Sequence, residues 1–154
     1  MKAMNQHPST QRPPELVAAL GYGGLIPFLA CVFGQLLGLF AEQVNWLFLL
    51  VAYGAVILSF VGALHWGFAM SIAELDSDRR QQAYLWSVIP ALIGFLALAI
   101  PMRLGCSLLI LGFALAYWRD IDLASRVSLP SWYLKLRVRL SIVASGCLLV
   151  GSFS

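Results

Sequence analysis

The chain has 154 residues, 60% of them hydrophobic and 11% charged, with a mean hydropathy of +0.83 and a net charge of +3. Soluble domains run near half apolar and a quarter charged, so this composition excludes an ordinary water-soluble core and points into a lipid bilayer. No basic face is interleaved with exposed aromatics, which speaks against a nucleic-acid partner.

Residues 1–14, MKAMNQHPSTQRPP, are polar and proline-bearing and read as a disordered cytoplasmic tail. They do not read as a signal peptide, because the apolar run behind them exceeds an h-region and no A-x-A site closes it. Residues 15–154 then form a single transmembrane helical domain with five apolar segments, at 16–40, 46–73, 84–100, 104–118 and 134–153. The fold class this predicts is all-α, a polytopic membrane helix bundle of about five transmembrane helices. A hydrocarbon core of ~30 Å takes about 20 helical residues. The first two segments clear that length, and the others need help.

Segments three and four are separated only by Pro101, Met102 and Arg103, which suits a tight helical hairpin. Tyr84, Trp86, Tyr117 and Trp118 cluster at its open end, where interfacial aromatics belong. Ser128 or Pro130 can start the fifth segment, and Lys135, Arg137 and Arg139 can snorkel to lengthen it. The alternating run LKLRVRL (Leu134 to Leu140) looks like a strand, but an open strand edge cannot survive in lipid. The stretch from Arg119 to Arg139 is the sizeable extramembrane element, and its RDID and KLRVR portions read as headgroup-facing.

Five spans place the tail, the second loop and the fourth loop on one side of the bilayer. That side holds Lys2, Arg12, Arg79, Arg80, Arg119, Arg126, Lys135, Arg137 and Arg139, against Arg103 alone on the other. The positive-inside rule then puts the N-terminus inside and the C-terminus outside.

The second segment carries the most informative pattern. Ala55, Ser59, Ala63, Gly67 and Ser71 recur every four residues, and Ala55, Gly62 and Ala69 every seven. Small residues at these periods form helix-packing seams in membranes. Leu58, His65 and Ile72 occupy the companion seam positions, so His65 points at neighbouring protein rather than at lipid. Counting from Ala73, His65 lies ~12 Å deep.

The same depth along the first segment reaches Tyr22, Gly23 and Gly24, with Pro27 a turn further, and in the third segment it reaches Pro90. Prolines free backbone carbonyls, and irregular backbone is tolerated in a membrane only where protein or water covers it. A small polar cavity lined by His65, Tyr22, Gly23, Gly24 and Ser145 is the resulting expectation. A histidine that simply hydrogen-bonds a neighbour and one that handles a proton or ligand both fit the sequence.

Other chemistry is thin. Cys31, Cys106 and Cys147 are apolar packers without a CxxC or Cys/His pairing. Glu74, Asp76 and Asp78 beside Arg79 and Arg80 read as a solvated loop that neutralises its own arginines. Two-histidine haem ligation would require dimerisation, since His7 lies in the tail. No nucleophile–base set, phosphate loop or paired intramembrane carboxylate stands out, so no catalytic residue, metal or cofactor is assigned. The partners expected are the lipid bilayer and either another membrane protein or a second copy of the chain.

The segments GYGGLIPF, YGAVILSFVGALHWGFAM, WSVIPALIGFLAL and LPSWYLKLRVRLS together resemble an uncharacterised multi-pass family, domain of unknown function 3429, which has bacterial inner-membrane and mitochondrial members. The resemblance implies a small helical protein of a bacterial inner membrane and supplies no reaction or substrate. Two functions are therefore carried forward: a non-enzymatic accessory or assembly component that docks helices through its seams, and a small oligomeric transporter or proton-linked permeation unit using His65.

Overall fold

The structure is a computed structural model that describes residues 12–73 and 76–154. Most of the tail reading therefore lies outside the described residues, as does Glu74. Among the described residues six helices follow in order: α1 (Glu15–Gly23), α2 (Ile26–Leu36), α3 (Trp46–Ser71), α4 (Ser77–Ala99), α5 (Met102–Ala124) and α6 (Ser131–Phe153). The pair α1–α2 makes one broken span, and with the other four it gives five helical units long and apolar enough to cross a membrane.

The break falls between Gly23 and Ile26, in the glycine- and proline-bearing stretch noted in the sequence. Pro27 has no N–H and sits in the first turn of α2, where that donor is not needed. Gly24 and Leu25 stay in the right-handed region, and the Leu25 N–H reaches only three residues back, to the Tyr22 carbonyl at 3.0 Å. The Gly24 carbonyl accepts the Tyr53 hydroxyl from α3 at 2.9 Å. A neighbouring helix thus covers the irregular backbone, as a bilayer requires.

The first span ends at Leu36, short of the expected residue 40. Gly38 has φ +60°, the left-handed conformation that glycine adopts without cost. Its N–H bonds the Gln35 carbonyl and the Leu39 N–H bonds the Gly34 carbonyl, a Schellman stop. Asn45 then caps α3 by accepting the Phe48 N–H at 2.9 Å. The loop stays tied to the bundle because the Trp46 indole donates to the Leu39 carbonyl.

α3 stops at Ser71, two residues short of the expected 73, and the last three spans are longer than the apolar runs suggested. α4 begins at Ser77, where Asp76 caps it through the Arg79 N–H, and α5 runs on to Ala124. α6 starts at Ser131, behind Pro130, and the LKLRVRL stretch is helical throughout.

α3 lies at the centre, packed on α2, α4, α5 and α6. Its seven-residue seam faces α4. A Cβ at Gly62 would stand 2.8 Å from the Ser87 carbonyl and Pro90, and one at Gly94 would stand 3.0 Å from the Ala55 carbonyl. Such close backbone approach is what small residues allow between membrane helices. Phe28, Leu50, Leu58, Leu109, Phe113 and Leu148 fill the middle. The outer surface is apolar as well, with Phe60, Leu92, Phe95, Leu111 and Ile142 exposed on successive spans. That inside-and-outside hydrophobicity marks a bundle solvated by lipid.

Candidate functional site

His65 sits on the buried face of α3, one seven-residue step beyond Leu58, and is 2% exposed. It lies six positions before the helix end at Ser71, a depth of ~9 Å. Its Nε2 lies 3.6 Å from Asp120 Oδ1 on α5. The Phe68 and Trp86 rings approach it edge-on, at centroid distances of 6.0 and 6.5 Å.

Asp120 anchors the cluster and is completely buried. Arg137 on α6 donates from Nε to Asp120 Oδ2 at 2.8 Å, and the Tyr133 hydroxyl donates to Oδ1 at 3.2 Å. A carboxylate taken out of water costs several kcal/mol unless it is paired and hydrogen-bonded, and here both conditions hold. His65, Asp120, Tyr133 and Arg137 therefore bring α3, α5 and α6 together through one set of charges.

Several polar atoms around this centre remain unpaired among the described residues. They include both imidazole nitrogens, Trp86 Nε1, Arg119 Nε and Arg137 Nη2. The Arg119 guanidinium lies over the Trp86 ring at 5.1 Å, a cation–π arrangement. Beside His65 opens a cavity of about 490 Å³, reached past Arg79, Gln82, Trp118, Arg119, Asp122 and Arg126. The arginines there pair within the chain: Arg79 with Asp76 at 3.1 Å, and Arg119 and Arg126 both with Asp122. The site thus joins a buried imidazole–carboxylate pair to an open, charge-balanced vestibule at one end of the bundle.

The expected cavity residues are not gathered around His65. Tyr22 lines a different cleft with Trp132, Lys135 and Arg139, and Gly24 lines a third with Phe28, Ile57 and Ser141. Gly23 faces open space, and Ser145 is half-buried on α6. Equal depth along separate helices did not put them on a common side. In the seam set, Ala55, Gly62 and Ala69 are buried, Ser59 is half-buried, and Ala63 and Gly67 lie on the outer face.

The largest correction concerns Asp120 and Arg137, read from sequence as headgroup-facing. α5 does not end at Trp118, and its buried stripe Leu109, Phe113, Ala116 continues through Asp120 to Leu123. Arg137 falls seven residues before Ala144 and fourteen before Gly151, all buried on α6. Spacings of three, four and seven were available in the sequence as a signal, although hydropathy alone conceals them.

Comparison with known proteins gives the family. The family model described as "Protein of unknown function (DUF3429)" matches residues 13–153. The chain belongs to the DUF3429 family. Within curated proteins it is similar to "Transmembrane protein 69" of Xenopus tropicalis, with 37% identity over 135 residues, covering 85% of this chain and 51% of the relative. This DUF3429 protein therefore spans about half the length of that relative. No solved structure matches it. It is a multi-pass helical membrane protein of a family without assigned function.

Proposed function

We propose that this DUF3429 protein is a non-enzymatic, proton-linked membrane component whose working part is the His65–Asp120 pair. The observation that carries the reading is the 3.6 Å approach of a fully enclosed imidazole to a buried carboxylate, next to an open vestibule. Ionisable groups held within a membrane bundle are functional candidates by default, and imidazole is the side chain that exchanges a proton near neutrality. A proton arriving on His65 from the vestibule meets the Asp120 carboxylate 3.6 Å away. Arg137 already engages Asp120, so protonation makes His65 and Arg137 compete for one carboxylate and shifts α3 against α6. Beyond the pair, Leu58, Leu109 and Phe113 close the core, so release on the opposite side requires rearrangement of the bundle or a second copy. In this reading the N-terminus lies in the cytoplasm of a bacterial inner membrane, supported by nine of ten Lys and Arg residues on one side of five spans.

The test is proton flux into proteoliposomes carrying wild type or His65→Gln, each followed with an entrapped pH dye between pH 5 and 8. Loss of the pH-dependent component in the variant supports the reading. Wild-type flux across the range in His65→Gln removes it.

A second reading, the helix-docking accessory component, keeps one observation in its favour. Ala63, Gly67 and Ser71 lie on the outer face of α3, and a Cβ at Gly67 would meet nothing within 4 Å. The seven-residue seam is already occupied by α4, so docking would use this four-residue stripe alone. Crosslinking in native membranes through a cysteine at position 63 separates the two readings. Recovery of monomer only counts against docking and leaves the proton-linked reading untouched.

A further inference from the structure

A second polar cleft lies between α1 and α6 and shares no residue with the His65 site. Its walls are Arg12 and Pro13 just before α1, Tyr22 near the end of α1, and Trp132, Lys135, Leu136 and Arg139 on α6, around a volume of about 390 Å³. The four α6 residues stand at i, i+3, i+4 and i+7, one face of a helix. Three cations therefore line one cleft without an acid in its wall. Among the described residues none of Arg12, Lys135 and Arg139 has a carboxylate within 4 Å. Arg139 donates instead to the Tyr22 hydroxyl at 3.5 Å.

This is unlike the vestibule beside His65, where three arginines and three aspartates line one space and the charges largely cancel. The backbone adds to the field. α6 begins behind Pro130 with no side-chain cap and no acid in its first turn, so its leading N–H groups and positive dipole end remain uncompensated. Arg139 lies eight residues into α6, ~12 Å along the axis. A guanidinium at that depth gains from an anion that enters the cleft from the membrane surface. Trp132 and Tyr22 are the aromatic types that sit at headgroup level, and Leu16 and Leu20 on α1 are exposed for acyl chains to lie against.

We propose that the α1–α6 cleft is a binding site for the phosphate of an anionic phospholipid, held by Arg12, Lys135 and Arg139 and bordered by Trp132 and Tyr22. Phosphate is the shared chemistry of a lipid headgroup and of a soluble phosphate. The location at the ends of two spans, beside exposed leucines, commits the cleft to the lipid. Binding there ties the start of α1 to α6, an otherwise lightly packed pair of helices.

The experiment uses the full chain in mild detergent, exposed to an equimolar mixture of phosphatidylglycerol and phosphatidylcholine and analysed by native mass spectrometry. Wild type should retain phosphatidylglycerol in clear excess. Each cation replaced by glutamine should lower that preference about fivefold, so Lys135→Gln alone gives a partial loss and the triple variant Arg12→Gln/Lys135→Gln/Arg139→Gln approaches parity. Arg79→Gln/Arg126→Gln, in the balanced vestibule, should leave the preference intact. Equal retention of both lipids by wild type, or the same loss from the vestibule variant, overturns the proposal. Displacement of the lipid by millimolar inorganic phosphate without added salt effects assigns the cleft to a soluble anion and likewise overturns it. If the triple variant fails to fold, Lys135→Gln decides, since Lys135 is exposed on α6.

Discussion

The Arg137 guanidinium is seated 2.8 Å from the Asp120 carboxylate, across the α5–α6 interface, and both side chains are almost closed off from the surroundings. Neither charge is tolerable alone at that position. Together, with the Tyr133 hydroxyl on the second carboxylate oxygen, they fix how far α6 can slide along α5. His65 approaches the same carboxylate from the third side, so any change of charge at this point is felt by three helices at once.

Removing one member should therefore cost more than the pair contributes. Asp120→Leu leaves Arg137 buried without its counter-ion and should destabilise the folded protein by about 3–5 kcal/mol. The double variant Asp120→Leu/Arg137→Met should recover most of that loss, because an apolar pair of similar volume avoids desolvation altogether. Unfolding titrations in mixed detergent micelles measure both. A single variant as stable as wild type would mean that the pair is not enclosed.

Gly62 and Gly67 on α3 should respond in opposite directions. At Gly62 an added methyl would stand 2.8 Å from the Ser87 carbonyl and Pro90, so Gly62→Ala must push α4 away and should cost about 1–3 kcal/mol, as overpacking does. At Gly67 the same methyl meets nothing within 4 Å. Gly67→Ala should be neutral or stabilising by up to ~1 kcal/mol through helix propensity. Thermal unfolding of the two variants side by side checks the sign, and destabilisation of both would place Gly67 in an interface.

Much of this architecture was legible in the sequence, for reasons tied to particular residues. Long apolar runs gave the number of spans, because a bilayer leaves no other use for them. Gly24 and Pro27 marked irregular backbone in the first span, with break and bend both open, and the seven-residue spacing of Ala55, Gly62 and Ala69 located the face that α4 covers. The pair at the centre was hidden for an equally physical reason. Hydropathy falls away after Trp118, where α5 takes on charge, and Asp120 meets Arg137 only after the chain has turned back from α5 into α6. Depth along a helix was readable, but which way a residue faces at that depth was not, so Tyr22, Gly24 and His65 ended in three separate clefts.

The hydroxyl of Tyr53 is the covering group for the broken first span. It donates to the Gly24 carbonyl at 2.9 Å while its ring packs edge-on against Phe28, at a centroid distance of 5.0 Å. Tyr53→Phe keeps the ring contact and deletes the hydrogen bond, so the expected loss is ~0.6–1.5 kcal/mol, within the range for polar contacts between membrane helices. Hydrogen exchange should report the change locally, at the Leu25 and Leu29 amides rather than across the bundle. Uniform loss of protection in all spans would show that Tyr53 holds more than the break.

Gln35 ties the other end of that span to the last helix. Its Nε2 donates to the Gly151 carbonyl at 3.0 Å, and Gly151 lies in the last turn of α6, where carbonyls have no helical partner. Gln35→Met keeps the side-chain length and withdraws the donor, leaving a buried acceptor unsatisfied at a cost of about 1–3 kcal/mol. Part of that is offset because the Gln35 amide oxygen itself has no partner among the described residues, and its burial penalty disappears with it. The net loss should fall near 1 kcal/mol. Gly151→Ala should cost more, since the new methyl would overlap Leu50 of α3, and the double variant should be close to the alanine variant alone once α6 has been pushed off α3 and its Gly151 carbonyl carried away from Gln35. Additive losses in this cycle would show instead that the amide and the glycine act independently.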